Sequence, residues 1–145
     1  MDYKTATGAT MLQKISYPQL NSRQQENYNF QKVSACLADY GFNCLRLTDD
    51  WHGADFLACH IDGETFLKVQ LKGRLTVDKK YMGKNIYIAF SDGRTWYLYP
   101  HDPVVKHLFE AGLVKGSRSW EDEGHYSWPS LSQAVVSVIG RYALG

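Results

Sequence analysis

Hydrophobic positions along the chain switch between helical and strand spacing. Residues 22–40 place Phe30, Val33, Leu37 and Tyr40 on one stripe, which predicts an amphipathic helix. Asn21 or Ser22 can cap its start, and Gly41 ends it. Residues 42–47 read as a strand and 48–53 as a loop. Two apolar-rich runs, 54–61 and 64–72, then flank Asp62-Gly63. Asp-Gly between such runs is a strong hairpin signal, because both positions of a tight type I′ turn need positive φ. A loop over 75–85 leads to Ile86-Tyr87-Ile88-Ala89-Phe90, which has the pattern of a buried strand. Ser91-Asp92-Gly93-Arg94 turns the chain, and 95–99 returns as another strand. Pro100 and Pro103 bracket the start of a short helix over 104–111, ended by Gly112. Residues 115–127 are polar and irregular, and Leu131, Val135, Val138, Ile139 and Tyr142 mark a last helix over 130–144.

This order predicts an α/β fold, with a mixed central β-sheet backed by a leading N-terminal helix and followed by C-terminal helices. Residues 1–20 lack periodicity and read as an N-terminal extension, with 1–10 a flexible leader; residues 21–145 read as a single domain. A chain of 145 residues suits one core. It contains no apolar run long enough to span a bilayer and no signal-peptide pattern. Cys36, Cys44 and Cys59 form neither a zinc-type pair nor a disulfide framework, so a cytoplasmic location is expected.

The hairpin carries the candidate chemistry. With Asp62 and Gly63 as its loop, Asp55 lies opposite Gln70, their Cβ atoms about 5 Å apart on one face. Lys72 shares that face, because strand side chains alternate. A carboxylate, an amide oxygen and an ammonium thus converge at the open end of the hairpin. Taken singly, an Asp at a strand start is more often a turn residue, and Gln-x-Lys near a sheet edge is more often solvated. Their cross-strand match makes them a site. Glu26 lies four residues before Phe30 on the first helix; it is either a solvated first-turn acid favoured by the helix dipole or a partner for that site.

Asp55 followed by Gln70-Leu71-Lys72 resembles the PD-(D/E)XK nuclease superfamily, in its Gln-x-Lys variant, including Holliday-junction-resolvase-like and homing endonucleases. The resemblance covers roughly residues 22–100, with His52-Gly53-Ala54-Asp55 in place of the Pro-Asp opening. It implies a restriction-endonuclease-like core and a metal-dependent DNA endonuclease, with Asp55, Gln70, Lys72 and Glu26 as the catalytic set. Asp55, the Gln70 side chain, the Leu71 backbone carbonyl and Glu26 then hold Mg²⁺ or Mn²⁺, hard cations that take oxygen ligands. Substitution of Gln for Glu removes a negative charge from the metal site. A non-catalytic nucleic-acid-binding or protein-interaction module on the same fold is therefore the alternative.

A net charge of +1 does not by itself mark a nucleic-acid binder, but its distribution is uneven. Lys68, Lys72, Arg74, Lys79, Lys80 and Lys84 follow the hairpin with Asp78 as the one acid among them. Lys68, Arg74, Lys79, Lys80, Lys84 and His52 are the candidate phosphate contacts, and DNA the expected partner. A homodimer or higher symmetric oligomer is expected, since one small domain rarely cuts both strands. His101-Asp102 reads as a turn beside Pro100 rather than a catalytic pair, and His60 as a packed or edge residue. Trp120 and Trp128, within or beside the polar stretch, are candidates for base stacking or a dimer contact.

Overall fold

The computed structural model describes residues 3–6, 9–114 and 116–145. Strands β1 (Tyr3–Ala6) and β2 (Ala9–Leu12) pair antiparallel as a hairpin outside the main sheet. The expected leader falls partly on Met1, Asp2, Thr7 and Gly8, which lie outside the described residues.

Helix α1 (Ser22–Ala38) begins where the sequence places it. Asn21 Oδ1 accepts from the Gln24 N–H, and Gln24 Oε1 accepts from the Asn21 N–H, both at 2.9 Å. These reciprocal bonds satisfy amides the helix itself leaves unpaired. The helix stops before Gly41, whose φ of +85° only glycine adopts freely, and a Cβ there would lie 3.0 Å from His60 Nε2. Val33 and Leu37 are buried as expected, whereas Tyr40 lies beyond the helix, exposed, with its hydroxyl on the Gly145 backbone.

The later strands are β3 (Phe42–Trp51), β4 (Ala54–His60), β5 (Phe66–Leu71), β6 (Leu75–Asp78), β7 (Ile86–Ser91), β8 (Trp96–Pro100), β9 (His125–Trp128) and β10 (Ala143–Leu144). Six form one sheet in the order β10-β8-β7-β5-β4-β3. Only β5 and β7 pair in parallel, so the sheet is mixed. Helix α2 (His101–Glu110) follows β8, and α3 (Gln133–Ile139) precedes β10. The α/β class with a mixed central sheet is thus as expected.

One face of the sheet packs Phe56, Ala58, Val69 and Ala89 against Val33 and Leu37 of α1. The other packs Ile88, Phe90 and Tyr99 with Val104 and Leu108 of α2 and Ile139 of α3. Each large side chain so buried contributes about 1.5–3 kcal/mol.

The hairpin turns differ from expectation. The tight turn lies between β3 and β4, where His52 and Gly53 have φ of +52° and +90°, the pair of positive values a type I′ turn needs. Between β4 and β5 the loop is wider. Gly63 is left-handed and Asp62 is not; instead Asp62 accepts from Glu64 N, Thr65 N and Thr65 Oγ1 at 2.8, 2.8 and 2.6 Å. The bonds from Thr65, then Glu64, hold its carboxyl well below the usual range. The observed β4–β5 loop has the same centre as the expected two-residue one, so the expected register holds, with Phe56 opposite Val69 and Leu57 opposite Lys68.

Further elements depart from the sequence reading. β3 runs through the expected loop to Trp51, with a bulge between Arg46 and Trp51. Within the expected 75–85 loop, Leu75–Asp78 is a strand paired with β9. Trp120 and Trp128 are buried core residues, not a contact surface, because a helical turn over Ser119–Glu123 and β9 turn the indoles inward and leave Glu121, Asp122 and Glu123 exposed. The last helix ends at Ile139, and Ala143–Leu144 joins β8 instead.

Candidate active site

Asp55 lies two residues after the His52–Gly53 turn and stands where β4 and β5 diverge. Its Oδ2 accepts the Leu71 N–H at 2.8 Å, so the side chain takes the place of a strand partner. Gln70 pairs with Ile88, which pairs with Tyr99, and alternation puts Asp55 on that same face. The Gln70 Nε2 donates to the Leu71 carbonyl at 3.4 Å. The Lys72 N–H donates to the Ala89 carbonyl at 2.9 Å, continuing the β5–β7 ladder. Its ammonium lies 5.4 Å from the centre of the Tyr81 ring. Asp55, Gln70 and Lys72 therefore meet, as the hairpin predicts, on the wall of a cleft of about 1040 Å³.

Partial burial shifts both charged groups toward neutrality. Loss of hydration pushes the Asp55 carboxyl up, opposed by the Leu71 N–H, Lys72 and Arg46 and reinforced by Glu26. Loss of hydration pushes the Lys72 ammonium down, with Lys80 adding repulsion and Asp78 and Asp55 pulling the other way.

The opposite wall comes from the segment after β6. Lys80 Nζ lies 5.2 Å from the Tyr81 ring centre, so Tyr81, 3 % exposed, carries two ammonium groups. Gly53 fits against that ring; a Cβ there would sit 3.2 Å from Tyr81 Cδ1. His101, fully buried at the start of α2, anchors the segment. Its Nε2 accepts the Asp78 N–H at 3.0 Å, and its Nδ1 meets Asp102 Oδ1 at 2.8 Å. These partners assign the proton to Nδ1. Asp102 Oδ2 in turn accepts the Gly83 N–H at 2.8 Å. Burial pushes the His101 imidazole down, against the opposing pull of Asp102 and Asp78. The pair opens α2, three residues before the expected helix start, and is not the turn the sequence suggests; its hydrogen bonds tie α2 to the segment after β6.

The remaining predicted residues separate into two groups. Glu26, Lys80 and Lys84 line the cleft. Glu26 is exposed and pairs with Arg46 at 3.7 Å. Lys68, Arg74, Lys79 and His52 are not among the lining residues. Lys68 donates to the Lys84 carbonyl, Lys79 lies over the Trp120 ring at 5.3 Å, and His52 packs edge-on against Trp51. Arg74 is exposed on the short β5–β6 connection.

Sequence reasoning missed Arg23, Arg46 and Tyr81. Arg46 pairs with Phe56 next to Asp55, contacts Asn27 and Glu26 and lies 5.4 Å from the Phe30 ring centre. A cation at the end of a strand that neighbours the hairpin was the available signal. For Tyr81 there was none, because its place depends on β6 pairing with β9.

The donors at the site are oxygen atoms, the type that Mg²⁺ and Mn²⁺ select. Asp55 Oδ2 is engaged by Leu71, which leaves Oδ1. Among the described residues no three His, Cys, Asp or Glu side chains cluster to hold an ion. Asp55 Oδ1, the Gln70 amide oxygen and the Leu71 carbonyl, which Gln70 Nε2 contacts, are oxygen donors of the type magnesium takes alongside water.

Two solved nucleases are similar to the chain in structure. One is the Holliday junction resolvase Hjc of the hyperthermophilic archaeon Archaeoglobus fulgidus, 20% identical, with a TM-score of 0.38 over 48% of this chain and 74% of that one. The other is a bacterial homing endonuclease, 13% identical, with a TM-score of 0.47 over 85% and 86%. No protein-family model matches the chain, and no curated protein matches it in sequence. No helix among the described residues is long and apolar enough to cross a membrane.

Proposed function

We propose that the chain is a metal-dependent DNA endonuclease that hydrolyses phosphodiester bonds in the cleft at the end of β4 and β5. The observation that carries this reading is the meeting of Asp55, Gln70 and Lys72 in one basic-walled cleft. Asp55, Gln70 and the Leu71 carbonyl would hold Mg²⁺ or Mn²⁺, with Glu26 as a further carboxylate lining the same cleft. When bound, such an ion would supply Lewis acidity toward the phosphate and make water more acidic.

The chain's own groups do the rest. Arg23, Arg46, Lys80 and Lys84 line the cleft and neutralise backbone phosphates. Lys72, held against Tyr81 and poorly hydrated, orients the attacking water and stabilises charge on the phosphoryl oxygens. Water adds to phosphorus, the bond to the leaving sugar oxygen breaks, and that oxygen takes up a proton equivalent to the one the water gives up. Cutting both strands calls for two copies, so the working form is a homodimer or higher symmetric oligomer. The free cysteines Cys36, Cys44 and Cys59 suit a reducing cytoplasm.

A second reading is favoured by the Asp55–Leu71 bond, which gives Asp55 a structural role without chemistry, and by the neutral Gln70. On that reading the protein is a binding module for nucleic acid or a protein. Incubation with supercoiled, linear and branched DNA, with Mg²⁺, Mn²⁺ or EDTA, separates the two. Metal-dependent cutting lost in Lys72→Ala supports the nuclease. DNA binding without cutting under every condition supports the module.

A further inference from the structure

We propose that the cavity on the far side of Lys72 is a subsite for one unpaired nucleotide of the strand being cut. This rests on the nuclease reading and specifies its substrate. The cavity, about 520 Å³, lies between α1 and the β7–β8 turn. That volume is within the range of small-ligand sites, roughly 300–1,000 Å³, and too small for a duplex. Its aromatic lining is Tyr17, Tyr28 and Trp96, and its charged lining is Lys32, Lys72 and Arg94, with no carboxylate among the described residues.

The aromatic wall is held in place. Tyr17 and Tyr28 meet edge to face at 5.3 Å. The Tyr17 hydroxyl accepts from Asn29 Nδ2 at 3.0 Å, and Lys32 Nζ lies 5.2 Å from the Tyr28 ring centre. Tyr17 and Tyr28 nevertheless keep 39% and 37% of their surface open to a ligand. Aromatic rings set among cations form the combination that receives single-stranded nucleic acid, with the base stacked and the phosphate neutralised.

Lys72 lines both cavities. The two cavities therefore adjoin at this residue, and a strand with a phosphate in the cleft can continue into the aromatic one. A paired base cannot enter, because its partner strand would have to follow. A flap, a branch point or a frayed end supplies the unpaired base. The subsite thus selects DNA with a local break in pairing over continuous duplex.

The test uses the full chain in EDTA, so that binding is read without cleavage. Fluorescence anisotropy compares a continuous duplex with the same duplex carrying one unpaired nucleotide, with 2-aminopurine at that position to report stacking. Tyr28→Ala and Arg94→Ala change exposed side chains, and circular dichroism checks that both variants fold. The parent should bind the interrupted duplex more tightly and quench 2-aminopurine. Tyr28→Ala should lose roughly ten-fold on that DNA, and the quenching with it, while binding continuous duplex as before. Equal losses on both DNAs, or no loss in either variant, would overturn the subsite and leave Asp55-dependent cleavage untouched. A parent that binds neither DNA in EDTA, and cuts neither in a parallel incubation with Mg²⁺ or Mn²⁺, would overturn the subsite and the nuclease reading together.

Discussion

His101→Phe tests how the second wall of the cleft is held. Phenyl keeps the ring volume and the edge contact that Tyr81 makes with His101 at 5.5 Å, so little cavity is created. What it removes is hydrogen bonding. The Asp78 N–H loses its acceptor and Asp102 loses the Nδ1 donor. An unsatisfied buried amide costs about 1–3 kcal/mol and a lost net hydrogen bond about 1 kcal/mol more, giving about 2–4 kcal/mol in all. For a domain of this size that lowers Tm by roughly 5–15 °C. His101→Gln, whose amide can still accept from Asp78, should recover part of the loss. The pH dependence is a second readout. Burial lowers the imidazole below its ordinary value of 6.5, so below that pH the unfolded chain binds a proton that the native chain refuses. The contribution of His101 is complete above pH 6.5 and declines as the pH falls toward the depressed native value. The gap between parent and His101→Phe in urea unfolding should therefore narrow from pH 7.5 to about pH 5. A loss under about 0.5 kcal/mol, or a gap that widens in acid, would refute the argument.

Three more perturbations probe the same framework. Asp55→Asn should abolish cleavage of plasmid DNA yet change urea stability by no more than about 1 kcal/mol, because the amide oxygen still accepts the Leu71 N–H and a poorly hydrated charge is gone; retained cleavage would remove Asp55 from the chemistry. Gly53→Ala should cost about 1–2 kcal/mol for its φ of +90° and push on Tyr81, so its cleavage rate should fall further than its folded fraction. Tyr99→Phe removes the fully buried hydroxyl that donates to Thr76 O and accepts from Thr76 N. A loss of about 1–3 kcal/mol in chemical denaturation is expected, and an unchanged midpoint would show that β6 does not depend on Tyr99.

The acidic side of the site was legible because it is local. Alternation along 54–72 fixes which residues share a face, and a centre at Asp62-Gly63 fixes what lies opposite Asp55. The wrong turn type did no harm, since a wider loop about the same centre keeps the register. The basic wall was not legible. Leu75–Asp78 is four residues long and runs into lysines, so nothing local distinguishes it from a loop; its partner β9 lies across α2 in sequence. Trp120 and Trp128 misled for a related reason. Their polar neighbours suggested a surface, but in the short turn over Ser119–Glu123 and in β9 the indoles point inward while the acids point out. Lys68 shows the limit of counting charges: it has the right sign and the right strand face, yet its ammonium is occupied by the Lys84 carbonyl.

The hydrogen bond from Leu71 to Asp55 also bears on how this protein could change over generations. Position 55 must offer an acceptor to keep β4 and β5 joined where they diverge, but it need not offer a charge. Asparagine meets the first demand, and the genetic code reaches it from aspartate by a single-nucleotide step. On the nuclease reading, loss of catalysis is thus one permitted substitution away, with the architecture carried through intact. A lineage could pass from cutting DNA to holding it without crossing an unfolded intermediate.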